Sequence, residues 1–257
     1  MLKLLSMKIK THKEILFIIG LVLNALAIAM SVAAHAGTSV YVVPSIALAS
    51  KIKGALPTTW GPIAISILGS QSFADLIIHV IFLIVFCIII RKFRPFFLLS
   101  FVSTFLYACL LYGFQWIPAF WPDVNHNYPL YIQIILLLSS IVLLASGIAI
   151  LLKTYLYSPV VTFVQKGLIQ HFNIKREGLF LLLNDMGFMV ISFLSIYALY
   201  HDWKFWEHNL SYGSLCTVFL IGPLVGVFSR TFDKIFTTKA LSPKWEKIFE
   251  IENKKGY

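Results

Sequence analysis

Asp75, His79 and Asp185 are the side chains best placed to do chemistry in this 257-residue chain, because each falls inside a long apolar run. An aspartate in hydrocarbon costs about 2.5–3.5 kcal/mol on insertion scales, so an acid kept there is by default a functional candidate. Asp185 is the eighth residue of its run and Asp75 the fourth of its own. His79 follows Asp75 at i,i+4, which places both on one helix face and lets the pair share a proton. The structural alternatives are a solvated rim acid for Asp75, a packed histidine for His79 and a hydrogen bond between helices for Asp185. Asn24 and Asn184 are polar at similar depth and are expected to join helices by hydrogen bonds.

A second set opens two short apolar pieces. Gly37-Thr38-Ser39 begins the piece 38–50, and Tyr157-Ser158-Pro159 lies early in the piece 154–165. A helix start offers free backbone N–H groups and the positive end of a dipole, and hydroxyls add to both. Thr38, Ser39, Ser158 and Pro159 could therefore frame an anionic group near the membrane midplane. Ordinary capping is the competing explanation, since Ser and Thr cap helices and Pro favours the first turn.

Positioning such groups requires a membrane. The composition is 59% hydrophobic and 12% charged, with a mean hydropathy of +0.84, which excludes an ordinary soluble globule. Six charge-poor stretches reach the ~20 residues needed to cross hydrocarbon: 15–34, 72–90, 96–117, 130–152, 178–200 and 209–229. The pieces 38–50 and 154–165 reach only ~20 Å and are expected to enter the membrane and return as half-helices, the alternative being amphipathic segments that lie at the interface. The stretch 54–74 is uncharged but interrupted by Pro57, Gly61, Pro62 and Gly69; if it and 38–50 both crossed, there would be eight spans, or seven with one. Ala25-x3-Ala29-x3-Ala33, Ala145-x3-Ala149 and Gly222-x3-Gly226 are spaced to let helices touch.

Charge sets the orientation. With a cytoplasmic amino terminus and alternating sides, all but Lys51, Lys53 and Lys204 of the 21 basic residues face the cytoplasm. The net charge of +10 thus serves topology and gives no reason to expect nucleic acid. Trp116, Trp121, Trp203 and Trp206 fall at the outer ends of spans, where an aromatic belt is expected. Ala34-His35-Ala36 imitates a signal cleavage site, but the preceding apolar run is longer than a signal core and is read as the first span. The tail from Thr231, with six lysines among Phe236, Trp245, Ile248 and Phe249, is expected either to lie on anionic lipid or to be solvated.

The chain also repeats itself. A shift of 120 positions places 22–29 on 142–149 with five identities in eight, and aligns Thr38-Ser39-Val40 with Ser158-Pro159-Val160. A shift of 110 aligns Asp75 with Asp185. Each copy then holds three spans and one short segment, and an odd number of spans inserts the second copy upside down, as in many secondary transporters.

Asn24-Ala25, the run Ala36-Gly37-Thr38-Ser39 to Pro44, Phe172-Asn173-Ile174-Lys175 and Gly222-Pro223-Leu224-Val225-Gly226-Val227-Phe228 together resemble the YczE/YitT-like bacterial integral membrane proteins. The resemblance covers roughly 15–110 and 135–232, and it implies a multi-helix bacterial membrane protein more than an activity. Val40 departs from it, standing where a proline usually follows Gly-Thr-Ser, and 54–70 is longer than usual.

The expectation is an all-α polytopic membrane protein of six spans, arranged as two inverted three-helix repeats with short half-helices. The divisions are a basic segment 1–14, a first repeat 15–117, an extracytoplasmic loop 118–129, a second repeat 130–229 and a basic tail 230–257. The expected role is secondary transport or export of a small molecule across a bacterial plasma membrane. Thr38, Ser39, Ser158 and Pro159 would bind substrate, while Asp75, His79 and Asp185 handle a coupling proton. The rival is a non-transporting membrane protein that organises or regulates a partner. Nucleotide-binding, zinc-protease and hydrolase motifs are absent, so no enzyme, cofactor or metal is expected. Cys87, Cys109 and Cys216 read as small buried hydrophobes. Self-association into a homo-oligomer stays open.

Overall fold

A computed structural model describes residues 9–34, 40–41, 43–55, 71–115, 128–201, 212–244 and 246. A short strand β1 (Ile9–His12) leads into helix α1 (Lys13–Ala33); then follow α2 (Val43–Ala55), α3 (Gln71–Ile90), a 3-10 turn (Pro95–Leu98) and α4 (Leu99–Gln115). The second half holds α5 (Leu130–Lys153), α6 (Val160–His171), α7 (Glu177–Tyr200), α8 (Tyr212–Ile235) and a strand β2 (Phe236–Lys239). Six of these helices are long and apolar enough to cross a membrane, at the six places that hydropathy marks. Their outer faces are apolar: Ile88 and Phe105, for instance, are each 68% exposed, which is tolerable only against lipid. The protein is a membrane-embedded helical bundle.

The centre is the pair α1 and α5, which run antiparallel along small residues. Ala25, Ala27, Ala29, Ala145 and Ala149 are buried, as packing without a hydrophobic drive between helices requires. Asn24 seats directly on Gly147, where a Cβ would come within 2.1 Å of its side-chain oxygen. Around this pair, α8 lies on α5 and α7, while α4 lies on α1.

The two short helices are lodged between the halves. At 13 and 12 residues, α2 and α6 reach ~20 and ~18 Å, too short to cross. The start of α2 is deep: the carbonyl of Val40 accepts a hydrogen bond from Ser192 in the interior of α7, at 2.7 Å. Its far end returns to the end of the same helix, with the Ser50 hydroxyl 2.5 Å from that of Tyr200 and Lys51 over the Tyr200 ring. So α2 runs along α7 from Ser192 to Tyr200. In the second half, α6 is fastened by an aromatic cluster in which Phe163 meets Phe86, Phe97 and Tyr157 at ring-centre distances of 5.1–5.3 Å.

Phe172-Asn173-Ile174 is the stop that ends α6. Asn173 adopts φ 49°, a left-handed conformation Asn tolerates better than most residues. The N–H of Ile174 returns to the carbonyl of Ile169 at 2.9 Å, and that of Asn173 to Gln170 at 3.3 Å, while Ile169 and Ile174 share one apolar cluster. This is the Schellman arrangement with its hydrophobic contact. It releases the chain to begin α7 only four residues later.

The first and last described elements gather at one end of the bundle. The strands β1 and β2 pair in parallel from Ile9 with Phe236 to His12 with Lys239. Lys13 bonds Glu246, and Glu14 accepts from the Leu241 N–H at 2.9 Å and from the Tyr155 hydroxyl. Burial, with Glu14 beside it, pushes the Tyr155 phenol well above the usual tyrosine range. The tail was expected to lie on lipid or to be solvated; its first part instead docks as β2, and α8 continues to Ile235, past the expected end of the last span at 229.

Candidate functional site

Asp185 is 4% exposed in the third turn of α7. A carboxyl taken out of water needs a partner for each state it visits. It finds the Tyr41 hydroxyl, which donates to its Oδ1. The same phenol oxygen accepts from Gln165 Nε2 at 2.8 Å and from Asn184 Nδ2 at 3.0 Å. A phenol has one proton to give and room for two donors, so Tyr41 is fully used. Three separate elements meet here: the segment before α2, α6 and α7. Among the described residues no basic side chain pairs with Asp185.

Sequence places Asp75 and His79 on one face, and the structure brings them together. His79 Nδ1 is 2.7 Å from the Asp75 carbonyl and 3.4 Å from its Oδ2. Bonded to a carbonyl, that ring nitrogen must be the donor. The Asp75 side chain keeps 33% of its exposure against 14% for His79, so the acid lies toward the rim and the imidazole deeper. This pair does not touch Asp185. Between them runs a line of rings, from His79 to Phe82 at 6.4 Å, Phe82 to Phe188 at 4.9 Å and Phe188 to Tyr41 at 4.5 Å.

Thr38 and Ser39 lie outside the described residues. Ser158 is fully buried, and its hydroxyl has no hydrogen-bond partner among them. Pro159 is the N-cap of α6. The first free N–H of that helix, on Val160, is taken by Thr104 Oγ1 at 3.1 Å, and Ser103 donates to the Tyr157 carbonyl. Ser158 and Pro159 therefore sit against α4 and do not join the group around Asp185.

Sequence reasoning missed Tyr41, Gln165 and Lys166. For Tyr41 and Gln165 the available signal is polarity inside two pieces too short to cross. Lys166 counted as a cytoplasmic cation and is instead 4% exposed, its ammonium donating to the Thr154 carbonyl. At the end that carries both strands, Lys153 joins Asp233 at 2.9 Å and lies 3.8 Å from Glu177, whose other oxygen accepts from Ser229 at 2.7 Å. These bonds tie together α5, α7 and α8.

A family model described as a family of unknown function, DUF6198, matches residues 11–230. No curated protein and no solved structure matches the chain.

Proposed function

The chain belongs to DUF6198, a family of unknown function, and we propose that it is a secondary transporter or exporter of a small molecule in a bacterial plasma membrane, driven by protons. The observation that carries this reading is the buried Asp185, which accepts from a Tyr41 hydroxyl that is itself bonded by Gln165 and Asn184 where two half-helices meet a span, with no basic side chain paired to it among the described residues. Polar groups converging at depth on short helices are what a midplane site requires. On this reading Asp75 and His79 form the outer proton relay, and the rings of Phe82 and Phe188 close the path between it and Asp185. Thr38 and Ser39 would contact substrate ahead of α2, while Ser158 and Pro159, packed against α4 and away from Asp185, would offer a separate contact at the start of α6.

An inverted repeat underlies the arrangement. Its support is a reciprocal exchange: α2 of the first half lies on α7 of the second, and α6 of the second lies on α3 of the first. The first helices of the two halves, α1 and α5, pack on each other along the axis such symmetry demands. No chemistry is done on the substrate, and no cofactor is needed.

The experiment is uptake and efflux profiling of a deletion strain and its complemented parent across classes of small molecules. At least one class is expected to accumulate differently and to respond to an imposed pH gradient; identical profiles throughout would sink the transport reading.

On this reading both termini are cytoplasmic. The charge asymmetry supports this, as does the pairing of β1 with β2, which puts residues 9–12 and 236–239 on one side. In a background with Cys87, Cys109 and Cys216 replaced, a membrane-impermeant thiol reagent is expected to label cysteines at Asn125 and Asn209 in sealed cells and to spare one at Ser242. Labelling at Ser242 would invert the protein.

A further inference from the structure

We propose that a cleft at the end of the bundle carrying both terminal strands holds the phosphate-bearing headgroup of an anionic phospholipid. The cleft, of about 360 Å3, opens between the first turn of α7 and the last turns of α8. Its acids are already engaged: Asp233 binds Lys153, and Glu177 is shared by Lys153 and Ser229. Lys175, Arg176 and Arg230 also line it, are exposed, and make no ion pair among the described residues. Arg176 is the N-cap of α7 and supplies no side-chain cap, so the positive end of a 24-residue helix adds to the three cations. A site for a diffusible anion would need nothing more.

The remaining wall is apolar and faces outward. Leu179 and Val227 are 48% and 57% exposed, with Leu182 and Pro223 beside them. Since α7 and α8 are spans that end here, this wall continues into the lipid-facing surface. Cations above an exposed apolar wall, between two spans, match a molecule with a phosphate at one end and acyl chains at the other. Cations serving topology alone would need neither the cleft nor the engagement of its acids by Lys153 and Ser229.

The test uses the full chain in nanodiscs of phosphatidylcholine into which phosphatidylglycerol is titrated, with bound lipid read by native mass spectrometry. Wild type is expected to retain phosphatidylglycerol in preference to phosphatidylcholine. Removing two interfacial cations with Arg176→Gln and Arg230→Gln together should weaken retention about thirtyfold. Arg176→Lys with Arg230→Lys keeps the charge and should stay within about threefold, since each cation still contributes. If the double glutamine protein does not fold, Arg230→Gln and Lys175→Gln alone should each weaken retention about fivefold. Lys239→Gln with Lys244→Gln removes the same charge from exposed positions outside the cleft and should change nothing. Retention unaffected by the Arg176 and Arg230 changes, or lowered equally by the Lys239 and Lys244 changes, would overturn the site. Displacement of the lipid by millimolar inorganic phosphate would make it a soluble-anion site and overturn the lipid assignment.

Discussion

Asp185→Asn is expected to give a protein that folds, inserts and no longer couples substrate movement to protons. The amide is nearly isosteric with the carboxyl and keeps an oxygen for the Tyr41 hydroxyl, so Gln165 and Asn184 still find the phenol oxygen. What it loses is the ability to bind and release a proton. A positioned proton-transfer group commonly contributes 10²–10⁴-fold, so proton-driven flux in reconstituted vesicles under an imposed pH gradient should fall by about 100-fold or more. Asp75→Asn should weaken coupling less, because that acid keeps a third of its side chain exposed and water can serve in its place. Tyr41→Phe provides the contrast. It leaves a carboxyl and two amide donors without their shared oxygen, and unsatisfied buried polar groups cost about 1–3 kcal/mol each; its signature is lost stability as well as lost flux. Wild-type coupling in a well-folded Asp185→Asn protein would remove Asp185 from the mechanism.

The spans were legible in the sequence because lipid imposes one strong demand, ~20 consecutive apolar residues per crossing, and the six helices follow it closely. The half-helix reading of 38–50 and 154–165 rested on the same arithmetic; α2 and α6 are as short as expected but lie five and six residues further along, at Val43–Ala55 and Val160–His171. Asp185 was visible as a buried acid because charge inside an apolar run is conspicuous. Its partners were not. Tyr41 and Gln165 lie more than 120 residues apart in the chain and meet only because α2 and α6 are packed between the two halves. No spacing rule joins them. The burial of Lys166 was hidden for a related reason: a lysine after a span reads as a topological cation, and only the fold of 154–171 back against α1 and α3 takes it out of water.

The strand pair was equally out of reach. Ile9–His12 and Phe236–Lys239 are four residues each, and two strands with so little apolar surface are marginal alone. They form because α1 and α8 deliver them to the same place, with Lys13 to Glu246 and Glu14 to Leu241 closing the end. By contrast Gly222-x3-Gly226 was read correctly as a contact surface, yet its partner Gly178 was overlooked, since one glycine at a helix start signals nothing until the facing helix is known.

That contact gives a large stability effect of its own. A Cβ on Gly222 would lie 2.6 Å from the Leu182 nitrogen and 2.7 Å from the Gly178 carbonyl oxygen; one on Gly178 would lie 2.5 Å from the Gly222 carbonyl oxygen and 3.0 Å from the Gly226 Cα. The obstacles are mostly backbone, which cannot rotate aside, so α7 and α8 must separate. Alanine normally improves a helix by about 1 kcal/mol over glycine. Here the overlap opposes that gain, and overpacking costs about 1–3 kcal/mol. Gly222→Ala and Gly178→Ala should therefore lower thermal stability in detergent, and Gly222→Leu should prevent assembly. Gly113→Ala and Gly187→Ala meet nothing within 4 Å and should be neutral or more stable by up to about 1 kcal/mol. Because Asp185 is on the helix that Gly222→Ala would displace, one turn beyond Leu182, the same change should also loosen its hold on Tyr41. Flux should then fall along with stability, unlike the pure loss of flux in Asp185→Asn. A Gly222→Ala protein as stable as Gly187→Ala would mean that α7 and α8 do not touch here.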